Sequence, residues 1–260
     1  MEPEARIHSD ARGRIAILTL SNPAKRNALN PGLLEQLAAE LDRLARSPVQ
    51  VIVLRGEGER VFSSGYDIGA IRGGAGEEAS RHPLGRALEA IERFPFPIVA
   101  MIFGGAYGAA CELVASCDLR FATSDARFAI PAGRLGVVYA AEGVARLARG
   151  ASPALARELL YTARPIDAQR ALALGLVQGL HSREALEAEV LALASEMAGL
   201  APRTLSSAKR MLAALGRRSQ FGDAELEEFA RLRDEALSSS DFAEGQAAFA
   251  AKRAPRFTGR

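Results

Sequence analysis

The sequence predicts an α/β fold with a helical C-terminal layer, and three observations carry that expectation. Four short apolar runs have the length and composition of strands: RIAILTL at 14–20, VIVLRG at 51–56, IVAMIF at 98–103 and DLRFAT at 118–123. Helical patterns fall between them, the alternation expected of an α/β chain. From Pro153 onward the pattern is almost entirely helical, with no Pro- or Ser-rich linker before it. One folding unit is therefore expected, with a core over residues 1–200 and a C-terminal helical region over 201–260 that packs on the core.

Taken in order, DARG at 10–13 reads as a hairpin turn leading into the first run. Asn30-Pro31 reads as a helix cap followed by proline at the first helical position. GERVFSSGYDIGAI, residues 58–71, follows the second run, and its Ser-Ser-Gly-Tyr-Asp core reads as a tight turn into a short helix. RGGAGEEASRH at 72–82 is glycine-rich and polar, the composition of a mobile surface loop. FGGAYGAACELVASCD at 103–118 lies directly behind IVAMI, and its small residues read as a strand-to-helix turn with the helix starting near Ala106 to Gly108. Farther on, Asp167 and Asp223 are expected caps, and Gly175, Gly216 and Gly222 expected stops.

Composition narrows the function classes. With 48% hydrophobic and 25% charged residues among 260, the chain is of ordinary globular type. Its N-terminus, MEPEARIHSD, is polar and acidic, unlike a targeting segment, so a cytoplasmic location is expected. The apolar stretch Phe96–Cys111 is shorter than the roughly 20 residues of a membrane span, and no membrane role is expected. Cys111 and Cys117 are too few for a disulfide framework or a four-ligand zinc site, so they are read as buried thiols and no metal is expected. His8, His82 and His181 are scattered and no G-x-S-x-G elbow occurs, which argues against serine-hydrolase chemistry. Lys25, Lys209 and Lys252 are the only lysines; the arginines alternate with acids, as in AELEEFARLRDEAL, which suggests solvated faces and no nucleic-acid partner.

Two segments could carry chemistry. At the start of a helix the first N–H groups have no intrahelical acceptor, and small residues there let backbone approach a ligand closely. The Ala109 N–H and the Glu112 carboxylate, one turn farther along the same face, would converge. The 58–71 turn would offer another N–H from a second strand end. On the residues alone, close helix packing with an incidental acid and an ordinary turn capped by Asp67 remain open.

Together these segments resemble the crotonase superfamily, the enoyl-CoA hydratase and isomerase group. The resemblance rests on NPAKRNALN, VFSSGYDI, FPFPIVAMIFGGAYGAACELVASCDLRFA, RLGV at 134–137, ARPIDAQRALALGLV and FAEGQAAFAAKRAPRFTG, and covers nearly the whole chain. It implies a spiral of ββα turns with a C-terminal helical trimerisation region, in trimers often paired into hexamers. It also implies acyl-CoA chemistry through an enolate, with coenzyme A entering as part of the substrate and no separate cofactor. By position, the backbone N–H groups of Tyr66 and Ala109 would form the oxyanion hole, beside Gly108; family members usually carry glycine where Ala109 stands. Coenzyme A would lie along Ser64, Gly65, Asp67 and Ile68, with Lys25 and Arg26 near its phosphates, Pro131 among the substrate-binding residues, and Phe249 and Lys252 contributing from the tail.

Hydration in this family uses two carboxylates holding one water. Glu112 is the first; FAIPAGRLGV puts Ala132 where the second is expected. A single glutamate could still isomerise a double bond. Decarboxylation of a malonyl-type thioester needs no base for C–C cleavage, and within the superfamily the likeness runs to a methylmalonyl-type decarboxylase, through VFSSGYDI, LGVVY and the KRAPRFTGR terminus. In that likeness Tyr139 is a pocket tyrosine able to hydrogen-bond the departing carboxylate. Glu112 would then be turned aside, protonated, or used to manage the proton delivered to the enolate. A non-catalytic acyl-CoA- or RNA-binding relative is the alternative from another class.

Overall fold

The computed structural model describes residues 5–70, 82–216 and 237–253, with isolated positions at 227, 230, 231, 234, 235 and 255. A six-stranded sheet runs in the order β1 (Arg6–Arg12), β2 (Ile15–Ser21), β3 (Val51–Gly56), β4 (Ile98–Ile102), β6 (Leu119–Thr123), β9 (Gly179–His181). Only β1 and β2 pair antiparallel; every later pair is parallel. A smaller sheet joins β5 (Gly105–Tyr107), β7 (Arg127–Ala129) and β8 (Ile166–Asp167).

The alternation of side chains divides the core in two. Ile52 and Leu54 of β3, with Ile98, Ala100 and Ile102 of β4, join the larger cluster, which also holds Leu33, Leu37 and Leu41 of α1 (Pro31–Leu44). Val51, Val53, Val99 and Met101 point the other way, onto Leu186, Val190 and Ala194 of α8 (Leu186–Ala198). Both faces of the parallel strands are thus covered, which is why their sequences are continuous apolar runs. Between these lie α2 (Pro83–Arg93), α3 (Ala109–Ser116), α4 (Ala132–Leu135), α5 (Ala141–Gly150), α6 (Pro153–Thr162) and α7 (Ala168–Ala173). After α8 come α9 (Pro202–Gly216) and α10 (Ser240–Ala250).

The expected strands and caps are present: Asn30 Oδ1 accepts from Leu33 N at 2.8 Å, and Asp167 Oδ1 from Arg170 N at 2.8 Å. Three differences have physical reasons. β1 is exposed and largely polar apart from half-buried Ile7, so it lacks an apolar pattern and is held by its pairing with β2. The helix expected near Ala106 to Gly108 begins at Ala109, because Gly105–Tyr107 is taken up as a strand against Arg127–Ala129. The short strands β8 and β9 interrupt the helical last third, each paired with one neighbouring strand, β7 and β6 respectively. Asp223, Gly222 and residues 72–81 of the expected loop lie outside the described residues. Among the described residues, no helix is long and apolar enough to cross a membrane.

Candidate active site

Two chain segments leave the sheet side by side. After β3, Phe62 N donates to Gly105 O at 2.9 Å, and Tyr107 N donates back to Ser63 O at 3.1 Å. The segment is also tied to the N-terminal region: Leu29 N donates to Gly65 O at 2.8 Å and Asp67 N to Leu29 O at 2.9 Å. Gly65 has φ +94°, and a Cβ there would meet Tyr107 O at 2.4 Å and Ala109 N at 3.5 Å. Only glycine allows this approach, and it sets the Gly65–Tyr66 turn directly against the first residue of α3. Gly108, with φ +55° and ψ −126°, is the N-cap of that helix; its own N–H donates to Ala129 O at 2.8 Å. Ala109 is the first helical residue, so its N–H has no intrahelical acceptor.

The remaining candidates distribute around these turns. Lys25 Nζ pairs with Asp67 Oδ2 at 2.7 Å, Ser64 Oγ donates to Lys25 O at 2.9 Å, and Ser64 N donates to Arg26 O at 3.0 Å. Lys25, exposed Arg26, Ser64 and Asp67 therefore form one rim, continued by the 3-10 turn Ile68–Ala70. Pro131 caps α4 and Ala132 is buried as its first residue. Tyr139 is half-buried, its hydroxyl 4.0 Å from where a Gly108 Cβ would sit. Phe249 and Lys252 stand at the exposed end of α10, and no hydrogen bond or ion pair among the described residues ties them to the paired turns. Cys111 and Cys117 are buried free thiols, both pushed up to about 12 by burial.

Glu112 lies in the first turn of α3, 5% exposed, and Arg146 Nη1 donates to its Oε1 at 3.2 Å. Burial pushes its carboxyl up to about 7; the Arg146 charge and hydrogen bond pull it down, while Glu92 and Glu142 push it up. Burial wins because Arg146 is shared: its Nε also donates to Glu92 Oε1 at 3.0 Å. Burial opposes the guanidinium charge too, but Glu92 and Glu112 outweigh it and hold Arg146 above its ordinary value. Burial first, then the Glu112 and Cys111 charges, raises the Tyr139 phenol well above its ordinary value and keeps it a hydrogen-bond donor. Arg146, Glu92 and Gly143 were not foreseen; Arg146 is 34 residues from Glu112 along the chain, and nothing local marks an arginine in ARLARG as aimed at that acid.

Residues 10–260 match the family model described as Enoyl-CoA hydratase/isomerase. The chain belongs to that family, the crotonases. It is 34% identical to methylmalonyl-CoA decarboxylase of Escherichia coli (strain K12), over 95% of each chain. It is 38% identical to a probable enoyl-CoA hydratase of Bacillus subtilis (strain 168), over 94% of this chain and 95% of the relative. A solved structure of methylmalonyl-CoA decarboxylase in complex with 2-nitronate-propionyl-CoA superposes with a TM-score of 0.91 at 33% identity, covering 98% of both chains. The architecture is thus the crotonase fold, and the protein is a crotonase-family acyl-CoA enzyme.

Proposed function

We propose that this crotonase releases CO2 from a malonyl- or methylmalonyl-type CoA thioester through a thioester enolate. The observation that carries the reading is the carboxylate count at the paired turns. Ala132 stands where a second acid would be needed to hold a water for addition to a double bond, and Glu112 is engaged by Arg146. In this reading the Tyr66 and Ala109 N–H groups donate to the thioester oxygen as it gains negative charge, each worth about 2.7–4 kcal/mol. The electron pair of the breaking C–C bond moves toward that carbonyl and CO2 departs. The enolate then takes one proton at its α-carbon to give the saturated acyl-CoA. Tyr139, kept protonated, hydrogen-bonds the departing carboxylate.

Coenzyme A is placed along Ser64, Gly65, Asp67 and Ile68, with Arg26 at its phosphates and Lys25 shaping the same rim through Asp67. Phe249 and Lys252, which no hydrogen bond or ion pair among the described residues ties to the turns of their own chain, serve a neighbour's site in a trimer or dimer of trimers built through residues 201–260. The exposed Met211 and Leu212 of α9 support such association. A cytoplasmic location, with no membrane or nucleic-acid partner, goes with this reading.

Hydration or isomerisation is the second reading. It is favoured by the Bacillus relative and by a Glu112 carboxyl pushed up to about 7, suited to a base that moves a proton between carbons. A screen of malonyl-, methylmalonyl- and crotonyl-CoA separates the two. CO2 release is expected to exceed crotonyl-CoA hydration, which is depressed about 10² to 10⁴-fold by the missing acid. Brisk hydration with no CO2 from either malonyl-type thioester overturns the decarboxylase reading.

A further inference from the structure

Three helices meet at Arg146. α2 supplies Glu92; α3 supplies Glu112 and Cys111; α5 supplies Arg146, Arg149 and Glu142; and the segment before α5 supplies Tyr139. The guanidinium spans two acids, with Nη1 on Glu112 at 3.2 Å and Nε on Glu92 at 3.0 Å, while Arg149 Nη2 lies 3.6 Å from the same Glu92 oxygen. The Glu112 carboxylate fills the space above Gly143: a Cβ there would meet its Oε2 at 2.9 Å and its Oε1 at 3.0 Å. The carboxylate is therefore drawn against α5. We propose that Arg146 is a positioning residue of this site, holding the Glu112 carboxylate onto α5 and setting its charge, so that an anionic acyl group can occupy the Gly108–Tyr139 side. The last clause rests on the decarboxylase reading; the hold on Glu112 does not.

A planar guanidinium with donors in fixed directions suits this place between two acids better than an ammonium. Without it, the buried Glu112 carboxylate would face the half-buried Glu92, which keeps Arg149 at 3.6 Å, and protonation of Glu112 would be the cheaper state. Opposite shifts in two variants follow. In Arg146→Gln the pull of the cation is lost while burial, Glu92 and Glu142 remain, so the protonation midpoint of Glu112 rises by about 1 to 3 pH units. In Glu92→Gln a repelling charge is lost and Arg146 is left to Glu112 alone, so the midpoint falls. Looser packing would admit water and lower the midpoint in both.

The test is a carbon-13 NMR titration of the full-length protein labelled at the glutamate carboxyls, with the Glu112 signal assigned by its loss in Glu112→Gln. The proposal expects a rise in Arg146→Gln, an intermediate value in Arg146→Lys and a fall in Glu92→Gln. An unmoved midpoint in folded Arg146→Gln, or an unmoved or rising one in Glu92→Gln, overturns it; if Arg146→Gln does not fold, Arg146→Lys decides, where a midpoint not above wild type overturns it. These titrations use no substrate, so they stand whether or not CO2 is released. For the acyl group, kcat/KM on methylmalonyl-CoA is expected to drop about tenfold or more in Arg146→Gln, because a Glu112 side chain no longer held on α5 takes up the Gly108–Tyr139 side, with acetyl-CoA affinity unmoved. Equal losses on both thioesters would overturn that clause.

Discussion

At Glu112 burial outweighs a salt bridge, and that balance has a pH signature. The carboxyl is pushed up to about 7 in the folded chain, chiefly by burial, against roughly 4.3 when unfolded. The folded state therefore holds the proton more tightly, so this group lowers stability as pH rises through that window, and the full penalty is present above about 7. Glutamine carries no such penalty. Glu112→Gln is expected to gain about 2 kcal/mol relative to wild type between pH 5 and pH 8, read from urea unfolding at both; a constant difference would contradict it. At Tyr139 the expectation concerns chemistry. Losing a hydrogen bond to a charged group costs about 1.5–3 kcal/mol, so Tyr139→Phe should slow methylmalonyl-CoA decarboxylation by about ten- to a hundredfold. An unchanged rate in the CO2 assay would remove Tyr139 from the site.

Among the elements, α3 is the one on which the site depends, and its far end is secured by a buried arginine, Arg120, which forms no ion pair with a carboxylate among the described residues. Arg120 of β6 donates through Nε to Leu176 O at 2.6 Å and through Nη1 to Cys117 O at 2.6 Å and Ala115 O at 3.5 Å. These carbonyls, at the end of α3 and before β9, are satisfied by one side chain, whose pKa burial lowers. Arg120→Met leaves them buried without that donor, at about 1–3 kcal/mol for each acceptor. A fall in unfolding free energy of at least about 2 kcal/mol is expected in denaturant melts. Arg120 does not touch the paired turns, so the variant should keep its turnover wherever it is still folded.

For the whole molecule, Lys209 of α9 reaches across to the sheet, donating to Ile91 O at 3.2 Å, Phe96 O at 2.9 Å and Asp118 Oδ2 at 2.7 Å. On the same helix, Met211 and Leu212 stand about 70% exposed. Apolar side chains left out of one chain's core in this way are expected to be covered by a second copy. Light scattering should therefore give a mass several times 27.6 kDa. Met211→Ser with Leu212→Ser should shift it toward the monomer. A 27.6 kDa species at all concentrations would count against subunit association and against a neighbour's use of Lys252.

Residue order alone determined the parts of this protein governed by neighbours along the chain. The apolar runs of β2, β3, β4 and β6, the Asn30 and Asp167 caps and the small residues before α3 are all legible there, because strand burial, capping and turn chemistry act over a few residues. So was the family, since its motifs are local runs. Tertiary structure decided what depends on distant partners. β1 and β9 exist through pairing; Gly105–Tyr107 became strand instead of helix because Arg127–Ala129 lies beside it. The direction of Glu112 is the plainest case. Three dispositions of that carboxylate were compatible with the sequence, and only the packing of α2 and α5 against α3 put Glu92, Gly143 and Arg146 around it. Charge, space and burial then act through space, where separation along the chain carries no information.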